Sequence, residues 1–385
     1  MADAYPPPRA GSHRFMSLPC GMPVPVDSVE VAAYSIPTDS PESDGTAMWD
    51  STTIVLVRVH AAGHIGTGYS YAGTAAATVV RDELTEVVTG GDATVPPARW
   101  ADMVHAVRNL GRPGVVAEAI AAVDVAIWDL RARLLDEPLA VALGAVHEVT
   151  PIYGSGGFTS YDDNSLCRQL GGWVEEGIGR VKMKVGRDPA VDAARVAAAR
   201  RAIGTHTELF VDANGAYQRK QALGWAGRFA EQQVSWFEEP VSSDDLEGLR
   251  LLRDRSPAGM DIAAGEYGYD VPYYQRMLDA GAVDCLQADV TRCLGITGVL
   301  KVGALCDARG LDLSLHCAPQ ISAHVGTALW HLRHLEYFHD HVRIEHMAFD
   351  GVLLPQPGGV LRPDRSCAGH GLTVKATDLE HFRVA

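Results

Sequence analysis

The sequence lacks three features: an excess of basic residues, a CxxC cysteine pair, and a long uninterrupted apolar run. It carries 33 Lys and Arg against 48 Asp and Glu, a net charge of −15, and a surface of that sign repels phosphate backbones and anionic lipids. The seven cysteines are odd in number and scattered along the chain, which favours reduced, packed thiols over a disulfide scaffold. We therefore expect no nucleic-acid partner and no disulfide framework.

Nothing in the sequence indicates a membrane segment. The N-terminus has no apolar core flanked by basic residues, and charged residues interrupt the apolar stretch 117–135. We therefore expect a cytoplasmic protein without a membrane span. With 47% hydrophobic and 21% charged residues the composition is that of a packed globular protein, and 385 residues are enough for two or three domains.

The chain divides into four stretches of different character. Residues 1–25 are rich in Pro and Gly and predict a loose arm. Residues 26–115 predict an α+β module whose best strand, 51–63, follows a polar loop at 37–50. From 116 to 350 short apolar strands alternate with Ala-rich helical segments, which indicates parallel strands with crossover helices. Residues 351–385 form a C-terminal segment.

The strands of 116–350 end at a nearly regular interval. With a first strand near 151–158, the pattern makes eight strand–helix units. We therefore predict an α/β fold of the (β/α)8, modified TIM-barrel type. The alternative is a doubly wound open sheet, but such a sheet does not require a chemically functional residue at the end of almost every strand. The residues that close the strands are 20 to 28 positions apart: Lys184, Asp212, Glu238, Glu266, Asp289, His316 and Glu336.

Three of these strand ends are acidic and consecutive. Asp212, Glu238 and Glu266 on neighbouring strands would repel one another strongly unless a cation lay between them. Ligands that are all oxygen suit Mg²⁺ or Mn²⁺ rather than zinc. Because side chains alternate along a strand, Glu238 and Glu239 face opposite sides, and we assign the metal to Glu238, which has Trp236 behind it on the inner face.

Two lysines share the inward face of the strand before the acids. Lys184 must be neutral to act as a base, and we expect the neighbouring ammonium of Lys182 and a nearby dication to lower its pKa. Lys182 itself is expected to contact the carboxylate of the substrate. By the same alternation Asn214 shares a face with Asp212 and is a second candidate for substrate binding.

An imidazole and a further acid complete the set. Asp289 closes the strand next to that of His316, so its carboxylate can orient the ring and support its charged form. Glu336 on the last strand would face the metal across the mouth. A divalent ion with an acid opposite it stabilises the enediolate formed when a proton is removed α to a carboxylate.

These residues resemble the mandelate racemase group of the enolase superfamily. The motifs are KMK at 182–184, VDAN at 211–214, FEEP at 237–240, GE at 265–266, the Asp289 and His316 pair, and Glu336 in HLEYF. The resemblance runs from about 115 to 350. It implies an N-terminal capping domain over the barrel mouth, a C-terminal return of the chain to that domain, and homo-oligomers, often octamers.

The resemblance also implies roles for the residues. It places Mg²⁺ on Asp212, Glu238 and Glu266, and it makes Lys184 and His316 bases on opposite faces of a small carboxylate substrate. If a β-hydroxyl leaves with acid help from His316, an acid sugar becomes a 2-keto-3-deoxy acid. If the opposite base returns a proton to the same carbon, the enzyme is a racemase or epimerase of a 2-hydroxy acid.

Dehydration is the favoured outcome, because acid-sugar dehydratases are the more numerous in the group. The polar residues of 37–50 also suit a polyhydroxy substrate. Two other classes of protein stay open. One is a metal-binding barrel without catalytic activity, and the other is a metal-dependent hydrolase, which would ordinarily have His ligands early in the chain.

Some motifs with metal-like or nucleophilic character are interpreted as structural. His339, His341 and His346 follow the last strand and are expected at the surface. Cys317 is directed away from the mouth by strand alternation. The GSGG run at 154–157 is taken as a flexible turn.

Overall fold

The computed structural model describes residues 22–385. The predicted loose arm at 1–25 therefore lies, up to residue 21, outside the described residues. Among those described, no helix is both long and apolar enough to cross a membrane.

The N-terminal capping domain is built on an antiparallel sheet. Its strands pair in the order β1, β2, β3. Apolar residues on one face of this sheet bury against the long helix α4, since Val55 and Val57 share a core with Ile120 and Ile127. The elements of this part are β1 Ser28–Ser43, β2 Met48–Ala61, β3 His64–Tyr71, α1 Thr74–Val79, α2 Thr85–Val88, α3 Pro96–Ala106, α4 Val115–Leu134 and α5 Leu139–Ala142.

Eight parallel strands follow and close into a barrel. Each pairs with the next along the chain, and the last pairs with the first, Glu336 beside Tyr153. This confirms the predicted α/β barrel and excludes the open sheet. The strands are β4 Thr150–Gly156, β5 Arg180–Lys184, β6 Glu208–Asp212, β7 Val234–Glu238, β8 Asp261–Ala264, β9 Cys285–Asp289, β10 Asp312–His316 and β11 Leu332–Phe338.

Helices cover the outside of the barrel, and three short strands end the chain. β13 lies antiparallel to β4, and β12 pairs with β14. The helices are α6 Asp163–Glu175, α7 Pro189–Ile203, α8 Arg219–Ala230, α9 Leu246–Arg255, α10 Val271–Asp279, α11 Gly295–Asp307, α12 Pro319–Gly326, α13 His339–Ala348 and α14 Ala376–Leu379, and the short strands are β12 Phe349–Asp350, β13 Val360–Leu361 and β14 Thr373–Val374.

The barrel interior is filled in layers by inward-facing side chains. Lys182 is level with Phe210, and Phe210 with Trp236. One layer nearer the carboxyl ends of the strands, Lys184 is level with Asp212. Alternation along each strand therefore separates the two lysines by one layer.

The polar stretch 37–50 is a hairpin rather than a loop. β1 continues to Ser43 and pairs with β2, with Glu42 opposite Trp49. The turn is held by Asp44, whose Oδ1 accepts hydrogen bonds from the backbone N–H groups of Thr46 (2.6 Å) and Ala47 (2.7 Å). Cross-strand pairing thus overrides the loop-like composition of this segment, named here the cap hairpin (residues 37–50).

The tip of the cap hairpin packs directly on the barrel. A Cβ atom added to Gly45 would collide with the backbone carbonyl of Ala213 and lie 2.8 Å from that of Val185. Both residues directly follow strands that end in the site described below. The C-terminal end of the chain also joins the cap, because the backbone N–H of Val384 donates to the carbonyl of Ala33 at 2.8 Å.

Gly45→Ala is expected to lower the midpoint of thermal unfolding by a few degrees, since overpacking against backbone costs about 1–3 kcal/mol. Gly224→Ala is the matched control: this exposed glycine of α8 has no atom within 4 Å of an added Cβ. Replacing a helical glycine with alanine removes a helix-propensity penalty, so we expect an unchanged or raised midpoint. Equal midpoints for the two variants would show that the tip is not tightly seated.

Candidate active site

The carboxylates of Asp212, Glu238 and Glu266 meet at the carboxyl end of the barrel and are named here the carboxylate triad. Asp212 and Glu238 end neighbouring strands and pair in register. Glu266 follows β8 after Gly265, which has a φ of 137° and whose Cβ would collide with the carbonyl of Gln287. One oxygen from each of the three side chains lies within 4.8 Å of the others, and all three are buried.

The triad fits a divalent metal ion. Its donor set is three carboxylates, which matches hard cations. Burial, together with the neighbouring Asp212 carboxylate, raises the pKa of Glu238 to about 8. Ionisation of Glu238 is thus opposed at this point of the barrel, and a bound cation would relieve the repulsion between the carboxylates.

The two lysines lie at different depths. Lys182 is fully buried, and its Nζ lies 2.5 Å from Glu238 Oε1 and 2.9 Å from Glu336 Oε1. Lys184 lies one layer higher, lines the cavity, and donates to Asp212 Oδ2 at 2.5 Å. Lys182 is not among the residues that line the cavity, and its predicted contact with the substrate carboxylate stays a prediction.

The expected lowering of the Lys184 pKa rests on Lys182 together with a bound dication, and it stays a prediction. Without that cation, burial lowers the pKa and Lys182 lowers it further, but the carboxylates of Asp212, Glu266 and Glu336 together outweigh both and raise the pKa above its ordinary value. The ion pair between Lys184 and Asp212 crosses two strands and is not evident from the spacing of residues along the chain.

His316 and Asp289 form the predicted pair across neighbouring strands. His316 Nδ1 lies 2.7 Å from Asp289 Oδ2, and Asp289 Oδ1 accepts from the hydroxyl of Thr291 at 2.7 Å. Burial alone would lower the pKa of His316, but acidic groups around it, Glu266 among them, raise the pKa well above its ordinary value. The ring is therefore charged, with Nε2 towards the cavity acids.

Glu336 lies on the last strand and reaches both lysine and histidine. Its Oε1 accepts from Ser155 Oγ at 2.5 Å, and its Oε2 lies 3.3 Å from His316 Nε2. Burial would raise the pKa of Glu336, but the positive charges of Lys182, His316 and Lys184 together outweigh burial and lower it. The carboxylate is thus an ionised acceptor in this arrangement.

A cavity of about 420 Å³ joins these groups to residues of the capping domain. Asn214 lines it, and its buried Oδ1 has no hydrogen-bond partner, so this predicted substrate contact is available. Arg292 lines it too, although its guanidinium already lies 3.4 Å from Glu266 Oε1. The other lining residues are Asp44, Trp49, Ser51, Thr52, Thr53, Tyr71, Ala72, Gly73, Glu118, Lys184, Glu266, Tyr267, His316, Cys317, Glu336, Phe338 and His341.

Cys317 lies in the cavity wall, so its predicted outward direction is wrong. β10 ends at His316, and the next residue has a φ of 50°, so strand alternation no longer applies. The Sγ atom lies 3.4 Å from His316 Nε2 and 3.4 Å from Glu336 Oε2. Burial raises the pKa of the thiol, so it stays protonated.

His341 is also a cavity residue, so its predicted position at the surface is wrong. Its ring stacks on Tyr71 of the cap, with ring centroids 3.4 Å apart, and its Nδ1 accepts from the backbone N–H of Ala318. Burial lowers its pKa to about 3, which keeps the ring neutral. Helical spacing would have revealed it, since 341, 344, 345 and 348 form the buried face of α13.

Family models cover most of the chain. Residues 29–144 match the mandelate racemase / muconate lactonizing enzyme N-terminal domain, and residues 165–378 match the enolase C-terminal domain-like family. The chain belongs to the mandelate racemase / muconate lactonizing enzyme subgroup of the enolase superfamily. The resemblance drawn from the sequence motifs is thereby confirmed, and the chain is an enzyme of the dehydratase or isomerase class within this subgroup.

Two curated relatives of this subgroup align along most of their length. A 3,6-anhydro-alpha-L-galactonate cycloisomerase of Streptomyces coelicolor is 31% identical over 91% of this chain and 97% of its own. An L-rhamnonate dehydratase of Saccharopolyspora erythraea is 30% identical over 78% of this chain and 77% of its own.

Solved structures show the same fold. A mandelate racemase/muconate lactonizing enzyme-like protein from Rubrobacter xylanophilus is 56% identical, with a TM-score of 0.92 over 94% of this chain and 100% of its own. A racemase from Streptomyces coelicolor with bound magnesium is 28% identical, with a TM-score of 0.87 over 93% and 100%. An L-talarate/galactarate dehydratase mutant liganded with Mg and L-glucarate is 25% identical, with a TM-score of 0.86 over 100% and 97%.

In this enolase superfamily member we expect Cys317 to resist alkylation, although it faces the cavity. Only the thiolate form of cysteine reacts, and burial keeps the Cys317 thiol protonated. Iodoacetamide at neutral pH should label the partly exposed Cys167 and Cys367 first. Peptide mass spectrometry measures the label at each site. Labelling of Cys317 at the rate of Cys367 would contradict the assigned protonation state.

Proposed function

We propose that this enzyme removes the α-proton of a small sugar acid and eliminates an oxygen substituent from the neighbouring carbon, giving a 2-keto-3-deoxy acid. The observation that carries the proposal is the cavity itself, which is lined by Lys184, His316, Glu336 and the triad member Glu266. An amine and an imidazolium thus face the same space as the proposed metal site.

Asp212, Glu238 and Glu266 are proposed to hold Mg²⁺. A bound divalent cation supplies positive charge that stabilises the enediolate and competes with Lys184 for the Asp212 carboxylate. The racemase with bound magnesium and the dehydratase liganded with Mg support this choice of ion.

Each reacting residue has one role in the proposed elimination. Lys184 accepts the α-proton at Nζ in its neutral form, which a cation held by the triad would favour because it would lower the lysine pKa. The electron pair of the C–H bond forms the carbon–carbon double bond as the β C–O bond breaks, and the departing oxygen takes a proton from His316 Nε2. The resulting enol becomes the ketone when its hydroxyl gives up a proton and the β-carbon takes one. Asp289 keeps the imidazole oriented through its 2.7 Å contact.

The leaving oxygen is either a hydroxyl or an internal ether. A hydroxyl leaves as water, the reaction class of the rhamnonate dehydratase relative. In an anhydro sugar acid the same elimination breaks a ring C–O bond without loss of water, and the cycloisomerase relative supports this second substrate type. Racemisation stays the second candidate, favoured by the position of Lys184 and His316 on the well-separated strands β5 and β10 and by the racemase structure.

The cavity favours a substrate with one carboxylate. Among the described lining residues the cationic side chains are Lys184, His316 and Arg292. Arg292 is already engaged by Glu266 and lies 3.7 Å from Asp289. A second carboxylate on the substrate would find no further cationic side chain among these lining residues. It would also be repelled by the acidic Glu118, which lines the same cavity.

A panel of aldonates, 3,6-anhydro-aldonates, aldarates and 2-hydroxy acids, incubated with Mg²⁺ in D₂O and followed by NMR, tests the reaction. We expect a 2-keto-3-deoxy product from an aldonate or anhydro-aldonate, turned over about 100-fold faster than any aldarate. Recovered substrate that has inverted configuration and carries deuterium at the α-carbon would contradict elimination and show racemisation.

Two variants control the assignment of roles in that panel. Lys184→Met and His316→Asn should each lower turnover by about 10²–10⁴-fold, the usual contribution of a positioned acid or base. Circular dichroism confirms that each variant is folded. Wild-type turnover in a folded variant would remove that residue from the mechanism.

Glu238→Gln should weaken Mg²⁺ binding at least about tenfold, because it removes one charged ligand. Glu239→Gln is the matched control, as Glu239 is the neighbouring buried acid and lies outside the triad. Calorimetric titration of the two variants measures the difference. A larger loss in Glu239→Gln would reverse the choice between these adjacent acids.

A further inference from the structure

A second group of metal-binding side chains lies where the cap hairpin meets the barrel. Asp39 and Glu42 come from β1 and His339 from the first position of α13; together they are named here the hinge cluster. A surface groove of about 710 Å³ opens beside Asp39 and His339, and neither Glu42 nor any triad residue lines it. His339 was expected at the surface, with a structural role.

The spacing of the donor atoms is that of ligands around one ion. His339 Nε2 lies 2.9 Å from Asp39 Oδ2, and a carboxylate oxygen of Glu42 lies within 4.8 Å of both. Ligands about 2.1 Å from a divalent ion are separated by about 3.0–4.2 Å. Small side-chain adjustments would therefore bring all three onto a single ion.

Buried oxygens without donors point to a missing positive charge. Glu42 is fully buried; its Oε2 accepts from Trp49 Nε1 at 2.8 Å, but its Oε1 has no hydrogen-bond partner. The neighbouring Asp340 is also fully buried, and its Oδ2 has none. The guanidinium of Arg343 donates to Oδ1 of Asp340, the carbonyl of Pro37 and Sδ of Met347, and to neither of these two oxygens. A buried carboxylate oxygen without a partner is costly.

We propose that Asp39, Glu42 and His339 form a second divalent-metal site that ties the cap hairpin to the barrel. One imidazole and two carboxylates suit a first-row transition ion such as Mn²⁺ or Zn²⁺ better than Mg²⁺. The ion enters through the groove, since the side chains of Asp39 and His339 are 47% and 26% exposed. The remaining coordination positions are open to water.

One hydrogen bond connects the hinge cluster to the wall of the catalytic cavity. Glu42 holds the indole of Trp49, and Trp49 lines the cavity. Neutralising Glu42 with an ion keeps this acceptor in place and holds both strands of the cap hairpin against α13. The ion thus acts as a positioning element for one wall of the substrate cavity.

The test counts bound Mn²⁺ by electron paramagnetic resonance of the free ion, with Mn²⁺ as the sole divalent metal. We expect two ions per chain in the wild type, one in His339→Gln and one in Glu238→Gln, which removes a triad ligand. His346→Gln, on the same helix and outside the hinge cluster, should bind as the wild type does.

Hydrogen exchange separates this proposal from the triad assignment. In the Glu238→Gln background Mn²⁺ should slow amide exchange of residues 37–50, and adding His339→Gln should abolish that effect. If Glu238→Gln binds no Mn²⁺, or if His339→Gln and His346→Gln bind equally, the hinge site does not exist, whatever the triad binds. If Glu238→Gln retains both ions while His339→Gln loses one, the hinge site stands and the triad assignment fails.

Discussion

The arrangement depends on one buried ammonium group. Lys182 lies inside the barrel with no exposure, and carboxylates from three strands surround it: Asp212, Glu238 and Glu336. Burying so many charges is tolerated only because each is paired within a few ångströms. Closure of the barrel by pairing of β11 with β4 brings Glu336 to Lys182, so the site depends on the closed fold.

A charge network of this kind can stabilise the negative charge that develops when a proton is removed from an unreactive C–H bond. The acids and amines are held by packed strands before substrate arrives, so little reorganisation is needed when negative charge develops. Proton removal is common to elimination and racemisation, and the outcome then depends on the groups that the substrate places near the second proton carrier. In this chain Cys317, Tyr71, Trp49 and His341 build much of the wall that sets that placement.

The capping domain contributes half of that wall, and its position depends on close backbone contact. Gly45 brings the cap hairpin onto the residues that follow β5 and β6, while Arg343 of α13 donates to the carbonyl of Pro37 at 2.6 Å. Rigid attachment at two places keeps Trp49 over the cavity. The same attachment explains why acidic residues of the hairpin become buried although their sequence is polar.

Patterns along the chain were enough to predict the barrel and the residues at its strand ends. A period of two along each strand and a recurring strand–helix unit determine which side chains share the carboxyl end, whatever the details of packing. These rules hold only inside regular strands: Cys317 lies beyond the end of β10 in a left-handed turn, and the pKa of Lys184 depends on an ion pair across strands. The depth of Lys182, the stacking of His341 on Tyr71 and the hairpin at 37–50 required the tertiary structure, because each depends on which distant segment packs against it.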